Sequence, residues 1–200
     1  MTELSTRDII LRNSHKLFAD KGFNGVSIRE IAKECDVNIA AINYHFNNKE
    51  NLYLQTIKES VLQTENQISK LYDMFKEKGS EKFALAIFDL FLNNSEDLRT
   101  GFKLIISSDK YTEAMGEDMP LFKGPPGGEY IYKILEAEVP TAASKDIEWA
   151  MRTILSQIIH KSLIMSNKSI CQTVAKSGVT SSDLQDDIIR LIRIVKKDIE

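Results

Sequence analysis

The placement of proline constrains this chain more than any other feature. All four prolines, Pro120, Pro125, Pro126 and Pro140, fall within one 21-residue window of the 200-residue sequence. Proline lacks the backbone donor and clashes with the preceding helical turn, so the long proline-free stretches on either side are open to helix throughout. Alternation of period two is nowhere sustained, whereas apolar residues recur at helical spacing. These patterns predict an all-α fold.

The helix signals are local and specific. A first helix is expected over about Arg7–Lys21, ended by Gly22 in a left-handed conformation. Ser27 stands as the N-cap of a second, with Glu30 completing a capping box and Val26 and Ile31 at the flanking staple positions. A third begins near Asn38. A fourth begins near Lys49, after Asn48 as cap, and runs to the Lys76–Gly79 stop, ~40 Å at 1.5 Å per residue and long enough to join two domains. Further helices are expected at about Glu81–Asn93 behind Ser80 and Glu96–Ser108 behind Ser95. A loop over 109–128 follows, then helices at about Glu129–Glu138, Lys145–Ser166 and Asp183–Ile199. Ser182 and Gln185 are read as a capping box for the last. The expected division is residues 1–50 and residues 51–200.

Apolar residues make up 42% of the chain and charged residues 28%, the balance of a globular protein. No run reaches the ~18 apolar residues of a membrane span, and the start MTELSTRD lacks the basic and apolar regions of a secretory signal. A soluble cytoplasmic protein with no membrane partner is expected. Cys35 and Cys171 lie far apart with no CxxC pairing, so neither a disulfide framework nor a metal site is expected, and no cofactor. The net charge is −3, but it is unevenly spread. Residues 1–58 hold eight Lys/Arg against seven Asp/Glu, and the remainder eighteen against twenty-two. An acidic larger part can therefore mask a locally basic surface.

The informative segment is VSIREIAKECDVNIAAINYHFNNKENLY, Val26 to Tyr53. It reads as helix, three-residue turn, helix. Ala32 is small enough for two helices to cross closely, and Ile31, Cys35, Val37 and Ile42 supply the core between them. Asp36 occupies the turn position that takes a left-handed backbone. The second helix keeps polar side chains after its core positions are filled, the pattern of a helix-turn-helix unit. Those side chains suit a DNA duplex. Asn38 stands at a helix N-terminus, where free N–H groups meet phosphate. Asn43 can bond an adenine edge, while Ile39 or Ala40 can touch a thymine methyl. Tyr44, His45 and Lys49 can donate to phosphates, which position without specifying.

The string ILRNSHKLFADKGFNGVSIREIAKECDVNIAAINYHFNNKENLY, with its run VNIAAINYHF, resembles the TetR family of bacterial transcriptional regulators. The resemblance implies an all-α fold of about nine helices, a homodimer, and a C-terminal domain that binds a small-molecule inducer. It implies phosphate contacts from Ser27, Tyr44, His45 and Lys49, and base or groove contacts from Asn38, Ile39, Ala40 and Asn43. The chain departs from the family pattern at Asn43, where many members have Tyr, at Ala41, where Ser or Thr is common, and at Asp36, where Gly is usual.

The last helices carry more apolar residues than one stripe requires. Ile154, Ile158, Ile188, Leu191, Ile192 and Val195 are expected at a two-fold four-helix dimer interface. His160 is read as an interface or core histidine. Phe83, Phe88, Phe91, Phe102, Ile105, Met115, Met119 and Phe122 are candidates to line an inducer cavity. No GxGxxG, P-loop, HExxH or GxSxG is present, so an enzyme is not expected. The expected function is a repressor released from a palindromic operator by an inducer; the alternative is a ligand-independent nucleoid-organising protein on the same fold.

Overall fold

The computed structural model describes residues 5–93, 100–101, 103–105, 110, 113–114, 126–166 and 168–200. Among them the α-helices are α1 (Thr6–Lys21), α2 (Ile28–Glu34), α3 (Ile39–Phe46), α4 (Lys49–Phe75), α5 (Ser80–Asn93), α6 (Gly128–Glu138), α7 (Ser144–Ser166), α8 (Lys168–Lys176) and α9 (Ser181–Ile199). A single 3-10 turn, Lys76–Lys78, follows α4, and no strand occurs among the described residues. Most of the expected 109–128 loop and parts of the Glu96–Ser108 helix lie outside the described residues; residues 100–101 and 103–105 are helical, and so are residues 113–114 within the expected loop.

The chain forms two compact units, and the division falls inside α4. The first comprises the described residues of Met1–Gln63 and Glu96–Pro120. Here α1 starts because the Ser5 hydroxyl oxygen accepts the Asp8 amide at 3.2 Å, and it stops because the Gly22 amide donates to the Phe18 carbonyl at 2.9 Å. Gly22 takes φ +68° with an extended ψ of 172°, positive φ as expected but not a full left-handed turn. Phe18, Ile31, Ile42 and Phe46 are wholly buried where α1, α2 and α3 meet, and Leu52, Tyr53 and Ile57 of α4 complete that core with Leu104.

One polar atom sits in this core without compensation. Ser14 is 0% exposed, and its hydroxyl finds no partner among the described residues. Ser14→Ala removes an unsatisfied buried group at almost constant volume, so it should raise stability by about 1 kcal/mol. A higher urea midpoint at unchanged slope is the expected readout; a lower midpoint would mean that the hydroxyl is satisfied after all.

The second unit comprises the described residues of Thr64–Ser95 and Leu121–Glu200. Its central helix is α7, which packs against α5, α6, α8 and α9. The buried side chains are Phe83, Ile87 and Phe88 of α5, Ile131, Ile134 and Leu135 of α6, and Met151, Ile154, Leu155 and Ile158 of α7. From α9 come Ile188, Ile192 and Val195. Polar contacts tie α9 to this core: Arg193 donates twice to the Glu81 carboxylate, each at 2.9 Å, and Lys161 meets Asp187 at 2.8 Å.

The start of α5 is capped from a distance. Ser80 offers its amide to Glu138 Oε1 at 2.8 Å and its hydroxyl to Oε2 at 2.6 Å, and Lys196 pairs with the same carboxylate at 2.9 Å. Gly79 makes room for this. Its φ is +87°, and a Cβ there would stand 2.7 Å from Glu138 Oε1. A second carboxylate behaves oppositely. Glu65 on α4 accepts the Gly127 amide at 3.2 Å, and burial pushes its carboxyl above the ordinary range against the pull of that hydrogen bond. A carboxyl raised in the folded state contributes stability at low pH that is lost as pH rises through the folded value. Glu65→Gln keeps the acceptor without the charge, so it should stabilise the protein at pH 7 by less than about 1 kcal/mol, given partial solvent screening, and by nothing at pH 4.

Several expectations are corrected. Five of the six residues assigned to a dimer interface, Ile154, Ile158, Ile188, Ile192 and Val195, are at most 2% exposed within a single chain. Only Leu191 remains half-buried. Their apolar side chains are covered by α5, α7 and α9 of the same subunit, while Trp149 on α7 and Ile194 on α9 stay 43% and 57% exposed. Of the two places expected for His160, interface or core, its exposure excludes the core. The last helix begins two residues early: Thr180 is its cap, accepting the Asp183 amide at 3.2 Å and donating its own amide to the Asp183 carboxylate at 2.7 Å, so Ser182 already lies in the first turn. Helix α8 was not expected from the sequence.

The cavity candidates divide between the units. Phe83, Phe88 and Phe91 are buried in the second, where Phe83 packs edge-on to Tyr72 at 6.0 Å, whereas Ile105 belongs to the first. Phe102, Met115, Met119 and Phe122 lie outside the described residues.

Candidate nucleic-acid interface

The surface is built by α2, a tight turn and α3. The Ser27 hydroxyl oxygen accepts the Glu30 amide at 3.1 Å, so the N-cap forms as expected. The capping box is only half made, because the Glu30 carboxylate forms its main pair with Lys21. That contact, with burial opposing it, holds Glu30 below its ordinary value and raises Lys21. Val26 is 2% exposed and Ile31 0% at the two staple positions.

The turn depends on one residue. Asp36 has φ +52°, the left-handed conformation read from the sequence, and Asp tolerates it better than most L residues. The Cys35 amide closes α2 on the Ile31 carbonyl at 3.0 Å, and the turn at Asp36 lets the Val37 amide reach the Ala32 carbonyl at 3.0 Å. The chain then enters α3, where the Asn38 side-chain oxygen accepts the Ala41 amide at 2.7 Å. That oxygen is occupied, so the Asn38 amide N–H groups are what the side chain offers outward. Burial pushes the Cys35 thiol up, which leaves it a packing residue.

Helix α3 has two faces. Ile42 and Phe46, one turn apart, are 0% exposed and turn inward. Asn38, Ile39, Ala40, Asn43 and Tyr44 are all exposed, Ile39 at 39% and Tyr44 at 84%, so an apolar residue and an aromatic ring stand in water on one side. Ser27 is exposed as well, while His45 is half-buried between the Tyr44 and Phe46 rings at 5.1 and 6.2 Å. The Lys49 ammonium lies 4.2 Å over the Phe23 ring, which fixes its stem while leaving a cation at the surface.

Three features of the site were not singled out in the sequence. Asn47 ends α3 at φ +64°, and the Asn51 side-chain amide donates to the last α3 carbonyl, Phe46, at 3.0 Å. Together with Asn48, whose side chain accepts the Asn51 amide at 2.8 Å, they form the α3–α4 joint. The signal was present as the pair Asn47–Asn48, since Asn follows Gly in tolerance of positive φ. Arg7 lies with its guanidinium 5.5 Å over the Phe46 ring and donates to Gln55 at 2.7 Å, a link across 48 residues that spacing cannot show. Exposed Arg29 and Lys33 form no ion pair among the described residues, whereas Glu30 and Glu50 are paired with Lys21 and Lys110. Helix α2 thus keeps two exposed cations, and two of the unit's carboxylates are neutralised. No cluster of three or more metal-ligating side chains occurs among the described residues, and no described helix is long and apolar enough to cross a membrane.

Comparison with known proteins agrees with this geometry. Residues 10–56 match the sequence profile described as bacterial regulatory proteins, tetR family. The chain is 46% identical over 57 residues to the probable HTH-type transcriptional regulator YttP of Bacillus subtilis (strain 168), a match covering 28% of each protein. It is 36% identical over 52 residues to IcaR of Staphylococcus aureus (strain Newman), the negative transcriptional regulator of the biofilm operon icaADBC, covering 26% of this chain and 28% of that one. The aligned stretch thus spans little more than a quarter of these relatives, which are regulators of transcription rather than enzymes. The fold match extends further: a transcriptional regulator from Aquifex aeolicus VF5 superposes with a TM-score of 0.60 at 24% identity over 96% of this chain and 99% of that one. Residues 10–56 thus carry the helix-turn-helix segment of the tetR family of bacterial regulatory proteins, and the all-helical fold is shared over nearly the whole length with a solved transcriptional regulator.

Proposed function

We propose that the chain is a DNA-binding transcriptional repressor that acts as a homodimer on a palindromic operator and is released by a small-molecule inducer. The observation that carries this reading is the division of α3, with Ile42 and Phe46 buried and Ile39, Ala40, Asn43 and Tyr44 exposed on one side. Residues 1–50 read DNA in this account, and residues 51–200 bind the inducer and pair the subunits. Ser27, Tyr44, His45 and Lys49 hold phosphates, and Asn38, Ile39, Ala40 and Asn43 enter the groove. With the buried isoleucines of α7 and α9 committed to their own subunit, exposed Trp149 and Ile194 and half-buried Leu191 remain for pairing. Phe83, Phe88 and Phe91 are the described aromatic residues for an inducer cavity. The name of IcaR as a negative regulator supports repression.

The test is to sequence the genomic fragments that the purified protein retains at near-physiological salt, fixed because phosphate contacts make affinity steeply salt-dependent. One or a few palindromes beside a small set of genes support the reading. A broad spread of weak sites indicates the nucleoid-organising alternative, and no retention at any salt overturns DNA binding. On a recovered site, Asn43→Ala should relax discrimination at one base pair by about 1–3 kcal/mol, while Tyr44→Ala should weaken all sequences alike. Equal, sequence-blind losses from both would remove Asn43 from base reading.

A further inference from the structure

We propose that a cleft between α1 and the first half of α4 binds a small zwitterion of the α-amino acid kind, and that Arg7 passes its occupancy to α3. The cleft lies wholly within the first unit and encloses about 420 Å³, the size range of small-molecule sites. Opposite charges line it without pairing with one another. Arg12 is exposed and meets no carboxylate among the described residues, so its planar fork is available to a carboxylate. Across from α1, Glu59 accepts the Gln63 side-chain amide at 3.1 Å, which leaves most of its lone pairs for an ammonium. Thr56 is 2% exposed, and its hydroxyl already donates to the Leu52 carbonyl at 2.7 Å, so its oxygen can only accept. Asp8 is held by the Ser5 hydroxyl at 2.7 Å. Acceptors on α4 and a free guanidinium on α1 suit a ligand that carries both charges a few ångströms apart; a simple anion would leave Glu59 facing it, and a simple cation would leave Arg12.

Arg7 also lines the cleft, and it is the residue that lies over the Phe46 ring and donates to Gln55. A ligand carboxylate that engages Arg7 therefore alters the hold on the last turn of α3. This coupling rests on the DNA-reading role of α3; the binding does not.

The experiment titrates each of the twenty standard α-amino acids, the chiral ones as L isomers, at 10 mM into the full-length protein and follows melting, with calorimetry on any that acts. The expected result is a saturable rise in Tm of about 2 °C or more for at least one of them. Arg12→Gln and Glu59→Gln, both at solvent-accessible positions, should each weaken that binding at least about tenfold while leaving the ligand-free Tm in place. The ligand should reduce DNA retention by the wild type and should not do so in Arg7→Gln. No shift with any amino acid overturns the proposal, as does a shift that survives both glutamine variants, which would put the ligand elsewhere. If amino acids fail to bind while DNA is retained, this inference falls and the repressor reading stands. If they bind through Arg12 and Glu59 but no DNA is retained, the repressor reading and the coupling fall and the site stands.

Discussion

Phe46→Ala is expected to abolish DNA retention and to lower the stability of the first unit by about 3–5 kcal/mol, the range for truncating a buried phenylalanine. Phe46 is 0% exposed and closes the core formed with Phe18, Ile31 and Ile42. Its ring also carries the Arg7 guanidinium at 5.5 Å, and that contact goes with it. A loss of this size is comparable to the whole stability of a small helical unit, so α3 should lose its fixed orientation even where the chain stays helical elsewhere. Urea unfolding followed by far-UV circular dichroism, alongside fragment retention, checks this. Tyr44→Ala is the control. At 84% exposure it should leave the urea midpoint unchanged while still weakening DNA binding, so loss of function without loss of stability separates contact from support. If Phe46→Ala left the urea midpoint in place, the buried face of α3 would be wrongly assigned.

Glu138→Ala is expected to cost about 2–3 kcal/mol and to act on the second unit. One carboxylate accepts both the amide and the hydroxyl of Ser80 and pairs with Lys196, so its removal uncaps α5 and leaves Lys196 without its partner. Burial works to raise the Glu138 carboxyl, but the Ser80 hydroxyl, Lys196 and the Ser80 amide together outweigh it, and the group stays below its ordinary value. A carboxyl lowered by folding contributes stability above its unfolded value, and that contribution is lost as pH falls through the folded one. The advantage of the wild type over Glu138→Gln should therefore be full at pH 7 and fade as pH falls from the ordinary carboxylate value into the lower folded range. This is the opposite sense to Glu65. Melting curves of the two variants across pH 3–7 measure both signs in one experiment, and parallel curves for wild type and Glu138→Gln would remove the charge from the argument.

The elements legible in the sequence were those whose determinants are close together. Ser27, Asn38 and Asn48 each cap a helix with a partner three residues on, and Asp36 takes positive φ because of its own side chain. Such interactions depend on spacing alone, and the helix-turn-helix consists of little else. The exposed set on α3 followed from the same periodicity once Ile42 and Phe46 were placed inward. The Ser182–Gln185 capping box failed for an equally local reason: Thr180 and Asp183 offered a reciprocal pair two residues earlier, and the pair with both bonds formed sets the start of α9.

What the amino-acid sequence by itself determined was therefore the helical class, the reading unit and its outward side chains, because helix periods, caps and turns are set within a few residues. Only the tertiary structure decided where the remaining apolar faces go. Ile154, Ile158, Ile188, Ile192 and Val195 carry the same pattern whether a partner subunit or a neighbouring helix covers them, and packing against α5, α7 and α9 of one chain chose the second. Contacts such as Ser80–Glu138, across 58 residues, and Arg7–Gln55, across 48, leave no periodic trace, since they exist only once helices have been brought together. The α1–α4 cleft is of the same kind: its opposite charges come from two helices more than forty residues apart, and only folding sets them around one space.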